Sequence, residues 1–288
     1  MLGAKILSAF LFVFLIAPFS LHSQILTDHS KWDQLLKNYV HQGLVDYEAL
    51  LLNRDQLDDY LKQLENYPID SFSELSREDR IAFWINLYNA SVLRTILDHY
   101  PIRQLDEIPA VYEVRTINTI GEYFSLSDLF NEVLRKGFRD ERILTALVSG
   151  RMDSPRILNE AYRGDRLDQQ LNRAAREFVN DNNLNRIQPG SKKLYLSPLF
   201  RKLGADFLVN YSSNQEFRYS EQESAVISFL LHHLANPEKR IFLDSASYKI
   251  EYLPEDPRLN AVSMSGEPRH SEAEGRRIPI QDPSLRSG

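Results

Sequence analysis

Apolar residues return at helical spacing most insistently between positions 80 and 100 (RIAFWINLYNASVLRTILDHY). At 100° per residue, Phe83, Ile85, Ala90, Val92, Leu93, Ile96 and Leu97 share one broad side, and Ser91, Arg94, Thr95 and Asp98 gather on the other. The pattern predicts an amphipathic helix docked on a core. Asn86 and Asn89 interrupt it, because they lie one turn apart near the middle of the apolar side and should be buried. A buried carboxamide without partners costs about 1–3 kcal/mol. Two roles are therefore open: a clamp on an irregular neighbouring segment, or the polar floor of a pocket.

The remaining pattern surrounds that helix with shorter elements. Residues 32–40 read as a helix capped by Ser30, residues 43–47 as a turn and extended stretch, and Asp46 as the opening of a helix that continues to about Asn66. Ser71 and Glu74 have capping-box spacing, and Ser76 with Glu78 and Asp79 is set to cap the central helix. Pro101 stops it. β-Branched and aromatic residues between 108 and 124 predict a two-stranded ribbon with its turn at 118–122. Ser125 is expected to cap a helix through Arg135, and Asp140 another to about Val148. After the loop 149–155, Ser154 and Pro155 suit the N-cap and first position of a helix ending near Gly164. Helices at 167–180 and 221–235, a helical turn at Ser197-Pro198, and strands at 194–196 and 248–253 that could pair complete the reading. The fold class is α+β: a mostly helical single domain with a small antiparallel sheet, spanning 24–260.

Composition narrows the function. The chain of 288 residues is 43% hydrophobic and 26% charged, with a net charge of −6. That acidic balance excludes nucleic acid as an expected partner. Lys5 followed by an apolar run to Phe19 and by Ser20-Leu21-His22-Ser23 reads as a signal peptide over 1–23, too short to span a bilayer. Cleavage would leave Gln24 first, with no stable membrane anchor after signal removal and export to the periplasm or cell exterior. Residues 261–288, rich in Gly, Pro, Ser, Glu and Arg, read as a disordered tail. The chain has no cysteine, which removes disulfides, thiolate nucleophiles and Cys-based zinc sites. No Gly-rich phosphate loop occurs, so no cofactor is expected.

Several segments in one order resemble the DUF547 family, a family named for lacking an established function. They are Gly43-Leu44-Val45-Asp46-Tyr47, AFWINLYNA at 82–90, Ser125-Leu126 with Leu134-Arg135, and Ala146-Leu147-Val148. Ser154-Pro155 with Ala161-Tyr162, and Leu196-Ser197 with Asp206-Phe207, continue the series. The resemblance covers about 32–260. It implies a Cys at the position of Ser149, a second at Ser154 and a His at Leu144 in typical relatives, and this chain has none of the three.

Candidate chemistry is correspondingly thin. Ser154 and Ser149 are the weak catalytic candidates. A serine needs a general base within hydrogen-bond reach, and the sequence places none nearby. Ser154 and Asp153 are equally explained as helix caps. His232 and His233 are adjacent, so they point about 100° apart and cannot form a metal pair alone; one should face solvent. His99 suits a helix C-terminus. Asp46, Tyr47, Trp84, Asn86, Tyr88, Asn89, Tyr162 and Asp206 match the resembling segments and can hydrogen-bond. They form either a stiff polar network or a groove for a peptide or glycan ligand. The reading is a binding or interaction module, with a degenerate or serine-using papain- or transglutaminase-like hydrolase as the alternative.

Overall fold

The computed structural model describes residues 28–211, 219–245 and 247–262. The expected signal peptide, and the expected tail beyond Val262, lie outside the described residues.

The architecture is mixed α+β and mostly helical. Helices α1 (Ser30–Tyr39), α2 (Tyr47–Leu52), α3 (Asp55–Glu65) and α4 (Ile69–Glu74) lead into the central helix α5 (Arg77–His99). At its start Ser76 Oγ accepts from the Asp79 N–H at 3.0 Å, and Glu78 and Asp79 put negative charge at the positive end of the helix dipole. Every residue from 81 to 93 is buried, including Ser91, which was expected on the solvent side. The helix is thus covered all round instead of docked by one face, with α3, a π-type helix at Asp128–Lys136 and the turn at Gly164–Arg166 packed about it.

Asn86 and Asn89 act within this burial as clamps. The Asn86 Nδ2 donates to the Tyr162 carbonyl at 2.8 Å, and its Oδ1 accepts from the Tyr162 N–H at 3.0 Å. Asn89 repeats the arrangement on Ala146 O and Val148 N, both at 3.0 Å. The two share no partner. Gln170 does the same to Ala161 O and Arg163 N, and Asn185 to Phe178 O and Ser197 N. A carboxamide presents the same donor and acceptor as a peptide unit, so Asn86, Asn89 and Gln170 each replace a neighbouring strand that the segment lacks, while Asn185 ties a carbonyl of the helix at Leu167–Asn180 to the N–H of Ser197.

This replacement explains the main correction. The expected helix behind Ser154 and Pro155 is not formed, and residues 155–163 have no regular structure. Their backbone groups bond instead to Asn86, Gln170 and Asp33, whose Oδ1 accepts from the Ala161 N–H at 3.0 Å. Ser154 Oγ donates to the Arg151 carbonyl at 2.8 Å and caps nothing. Tertiary partners outweigh the local preference for proline at a helix start.

Smaller corrections are also local. His29, not Ser30, precedes α1, and Asp28 accepts the Ser30 N–H. The helix expected to run to Asn66 breaks at Asn53 and Arg54. Ser71 lies inside α4 and forms no capping box, since Pro68 occupies the cap. After α1, β1 (Val40–His41) pairs antiparallel with β2 (Leu44–Val45), and the ribbon is shorter than expected, with β3 (Ile117–Thr119) paired to β4 (Glu122–Phe124). A three-stranded sheet follows helix α6 (Leu167–Asn180): β5 (Arg186–Gln188) is antiparallel to β6 (Lys193–Leu196), and β7 (Lys249–Tyr252) is parallel to it. The parallel pairing is possible because α7 (Pro198–Leu203), α8 (Glu221–His233) and α9 (Pro237–Asp244) lie between these two strands. Paired backbone continues past the expected domain end at 260, since the Val262 N–H bonds to Val45 O.

The buried side chains form two clusters. One surrounds α5, and the other joins the end of α6 to α7, α8 and the three-stranded sheet.

Candidate functional site

Between the two clusters lies a cleft of about 480 Å³. Leu126, Leu147 and Tyr88 come to it from the first cluster, and Leu144 and Leu199 from the second. Clefts of this size at the junction of two packed units are where ligands commonly bind. One wall is the π-type helix, which brings Phe130 to within 6.1 Å of the Tyr88 ring. Widened helical turns are frequent at functional sites.

The opposite rim is the loop carrying Ser149, Arg151, Asp153 and Ser154. Asn89 anchors its start. Gly150 (φ +71°) then lets the backbone lie directly on α5, where a Cβ would come within 2.6 Å of Ile96 Cδ1. The C-terminal segment holds the other side, through the Asn260 N–H to Gly150 O and the Met152 N–H to Arg258 O. The loop is therefore fixed on both edges without belonging to a helix or a sheet.

Charge at the rim is organised by Arg151. Its guanidinium takes Asp153 bidentately at 2.9 and 3.0 Å, Asp106 at 2.8 Å and Glu255 at 3.1 Å. Hydrogen bonding to Asp153 holds the guanidinium firmly charged. Lys202 Nζ lies 2.9 Å from Glu255 and, as the largest cause, holds that carboxyl below the ordinary glutamate range, with Arg151 adding to it. Burial pushes the Tyr112 phenol up to about 12, with Asp106 adding to the effect. The Tyr88 phenol is pushed up by burial as well.

The geometry offers no serine nucleophile. Ser154 gives its proton to a backbone carbonyl, and the Ser149 hydroxyl has no hydrogen-bond partner among the described residues. Among the described residues no histidine lines the cleft, and its three carboxylates are all bound to Arg151. Among the described residues there is also no group of three His, Asp or Glu suited to a metal.

Of the residues singled out from the sequence, Ser149, Ser154 and Tyr88 meet in this cleft, and so does Leu144. The others serve elsewhere. Trp84 packs edge-on against Phe72, Phe83 and Phe124. Asp46 caps α2, the Tyr47 hydroxyl donates to Asn260 Oδ1 at 2.7 Å, and Asp206 forms a bidentate pair with Arg135. Tyr162 is held through its backbone by Asn86. Sequence reasoning missed Arg151, Asp106, Glu255, Tyr112 and Phe130. Only the Arg-x-Asp spacing of Arg151 and Asp153 offered a local sign of the rim; the other three charged contacts join distant segments.

Fold and cleft together define a mostly helical α+β protein with an apolar-walled pocket, and the comparisons name part of it. Residues 72–179, a stretch that includes α5, the π-type helix and the serine loop, match the family model described as "Protein of unknown function, DUF547". The segments at 43–47, 196–197 and 206–207 lie outside the match. No curated protein and no solved structure matches the chain.

The rim arrangement predicts how Arg151→Met behaves. In the native protein the lowered Glu255 value contributes stability above the unfolded pKa, and this is lost as pH falls through the lowered value. In the variant Glu255 loses the Arg151 contribution while keeping Lys202, so its carboxyl is lowered less, and the loss caused by the substitution narrows as Glu255 takes up its proton at low pH. Urea melts should show a loss of about 2–3 kcal/mol near pH 7, narrowing to less than half of that near pH 3. An equal loss at both pH values contradicts the charge assignment.

Proposed function

We propose that the chain is an exported binding module whose cleft takes an apolar side chain of a peptide. The observation that carries the reading is the pairing of an apolar, aromatic-lined cleft with serines that have no base. Tyr88, Phe130, Leu144 and Leu199 supply a surface that gains by leaving water, and Ser149, Asn131 and the rim carboxylates are polar groups able to fix an extended backbone. The resemblance places the relatives' His and two Cys at Leu144, Ser149 and Ser154, all in this same cleft. Leucine and serine there keep its shape and remove its nucleophile, which favours binding over the hydrolase alternative. Export is supported by the charged start and apolar run of residues 1–23.

A thermal-shift screen of short peptides and oligosaccharides tests the binding reading. Peptides bearing Leu or Phe should stabilise the protein by about 2.7 kcal/mol at a hundredfold excess over Kd. Leu199→Asp should remove the effect with the far-UV circular dichroism unchanged. Stabilisation by sugars alone, or binding that survives Leu199→Asp, contradicts it. For export, mass spectrometry of protein from the native host should find an N-terminus at or near Gln24; intact Met1 in a membrane pellet overturns that part.

A further inference from the structure

A second pocket, of about 380 Å³, lies apart from the cleft and uses none of its residues. The start of α5 brings Arg77 to it, the turn before the Glu141–Thr145 helical turn brings Arg139, that helical turn itself brings Arg142, and the end of α8 brings His232 and His233. Its lining is strongly polar, and its cations are unequally engaged. Arg142 is fully committed, being bidentate with Asp140 at 3.0 and 2.8 Å and bonded to Asp168 at 2.7 Å. Arg77 gives one hydrogen bond, to the Phe138 carbonyl, and rests over the Phe138 ring. Arg139 makes no hydrogen bond or ion pair among the described residues. Two guanidiniums thus border one pocket without a carboxylate partner.

His233 supplies the independent observation. Its side chain is packed against Phe229, the residue is only 5% exposed, and its Nε2 is buried with no hydrogen-bond partner. Buried polar atoms are nearly always bonded, and an orphan of this kind marks a place where a further group belongs. Burial, with His232, Arg142 and Arg176 as neighbours, pushes this imidazole down to about 4, so it is neutral at physiological pH and has one N–H to give. The pocket's remaining acid is Glu141, whose carboxyl burial pushes up while the Asn210 amide, its hydrogen-bond donor, opposes the shift. A neutral donor beside two uncompensated guanidiniums fits an incoming acceptor that carries negative charge.

We propose that this pocket binds a small oxyanion, a phosphate or carboxylate group that accepts from His233 Nε2 and is neutralised by Arg139 and Arg77. Guanidinium groups suit such a ligand because their planar donors match paired oxygens. The site does not depend on the peptide reading of the cleft.

The test follows the His233 ring nitrogens by long-range ¹H–¹⁵N NMR while the full chain is titrated, at constant ionic strength, with inorganic phosphate in one arm and succinate in the other. A saturable shift in either arm supports the site and identifies which oxyanion it takes. Affinity should fall at least tenfold in Arg139→Gln, whose melting curve should match the wild type because Arg139 is exposed and unpaired. Leu199→Asp, in the cleft, should leave the titration unchanged. No saturable shift in either arm, an equal shift with sodium chloride, or undiminished affinity in Arg139→Gln overturns the proposal.

Discussion

The structure depends on side-chain amides doing the work of missing strands. Residues 146–163 cross the middle of the protein in irregular conformation, where unpaired N–H and C=O groups would each cost about 1–3 kcal/mol. Asn86 and Asn89 on α5, and Gln170 on α6, each return one donor and one acceptor to that segment. Asn185 does the same between Phe178 and Ser197 in the second cluster. An irregular chain can therefore be buried at low cost, and its shape is set by α5 and α6, not by its own propensity.

The shape of the cleft follows from where those clamps fall. The Asn89 clamp ends at Val148, immediately before the serine loop, and the Asn86 clamp lies beyond it at Tyr162. Between them the chain is free of regular secondary structure yet held on α5 through Gly150 and on the C-terminal segment through Met152. That is how a loop can form one rim of a cleft between two hydrophobic clusters with little freedom to move. The Arg151 cluster adds a second lock, tying the loop to Asp106 and Glu255 from distant parts of the chain. Preorganisation of this kind lowers the ordering cost of binding.

The extent to which the sequence disclosed this is instructive residue by residue. The central helix, its Ser76 cap and the inward placement of Asn86 and Asn89 follow from period and capping chemistry alone, because they are local. The DUF547 resemblance was legible from short strings such as AFWINLYNA. The helix expected after Pro155 failed for the opposite reason: its local signal was good, but the competing partners are Asn86, Asp33 and Gln170, far away in the chain. Ser91 misled similarly, since its polarity says nothing about the elements that cover it. In the cleft, Ser149, Ser154 and Tyr88 were within reach of pattern reading. Asp106 and Glu255 were not, because only folding brings them to Arg151.

Native-state hydrogen exchange of the Tyr162 and Val148 amides tests the clamp account most directly. In the wild type both should exchange only through global unfolding, as slowly as the core of α5. In Asn86→Leu the Tyr162 amide should lose protection well beyond the global change in stability while Val148 follows the rest of the core, and Asn89→Leu should reverse the two. Tyr162 and Val148 losing protection together in either variant, or neither departing from the global value, would contradict the claim that separate carboxamides hold separate stretches of backbone.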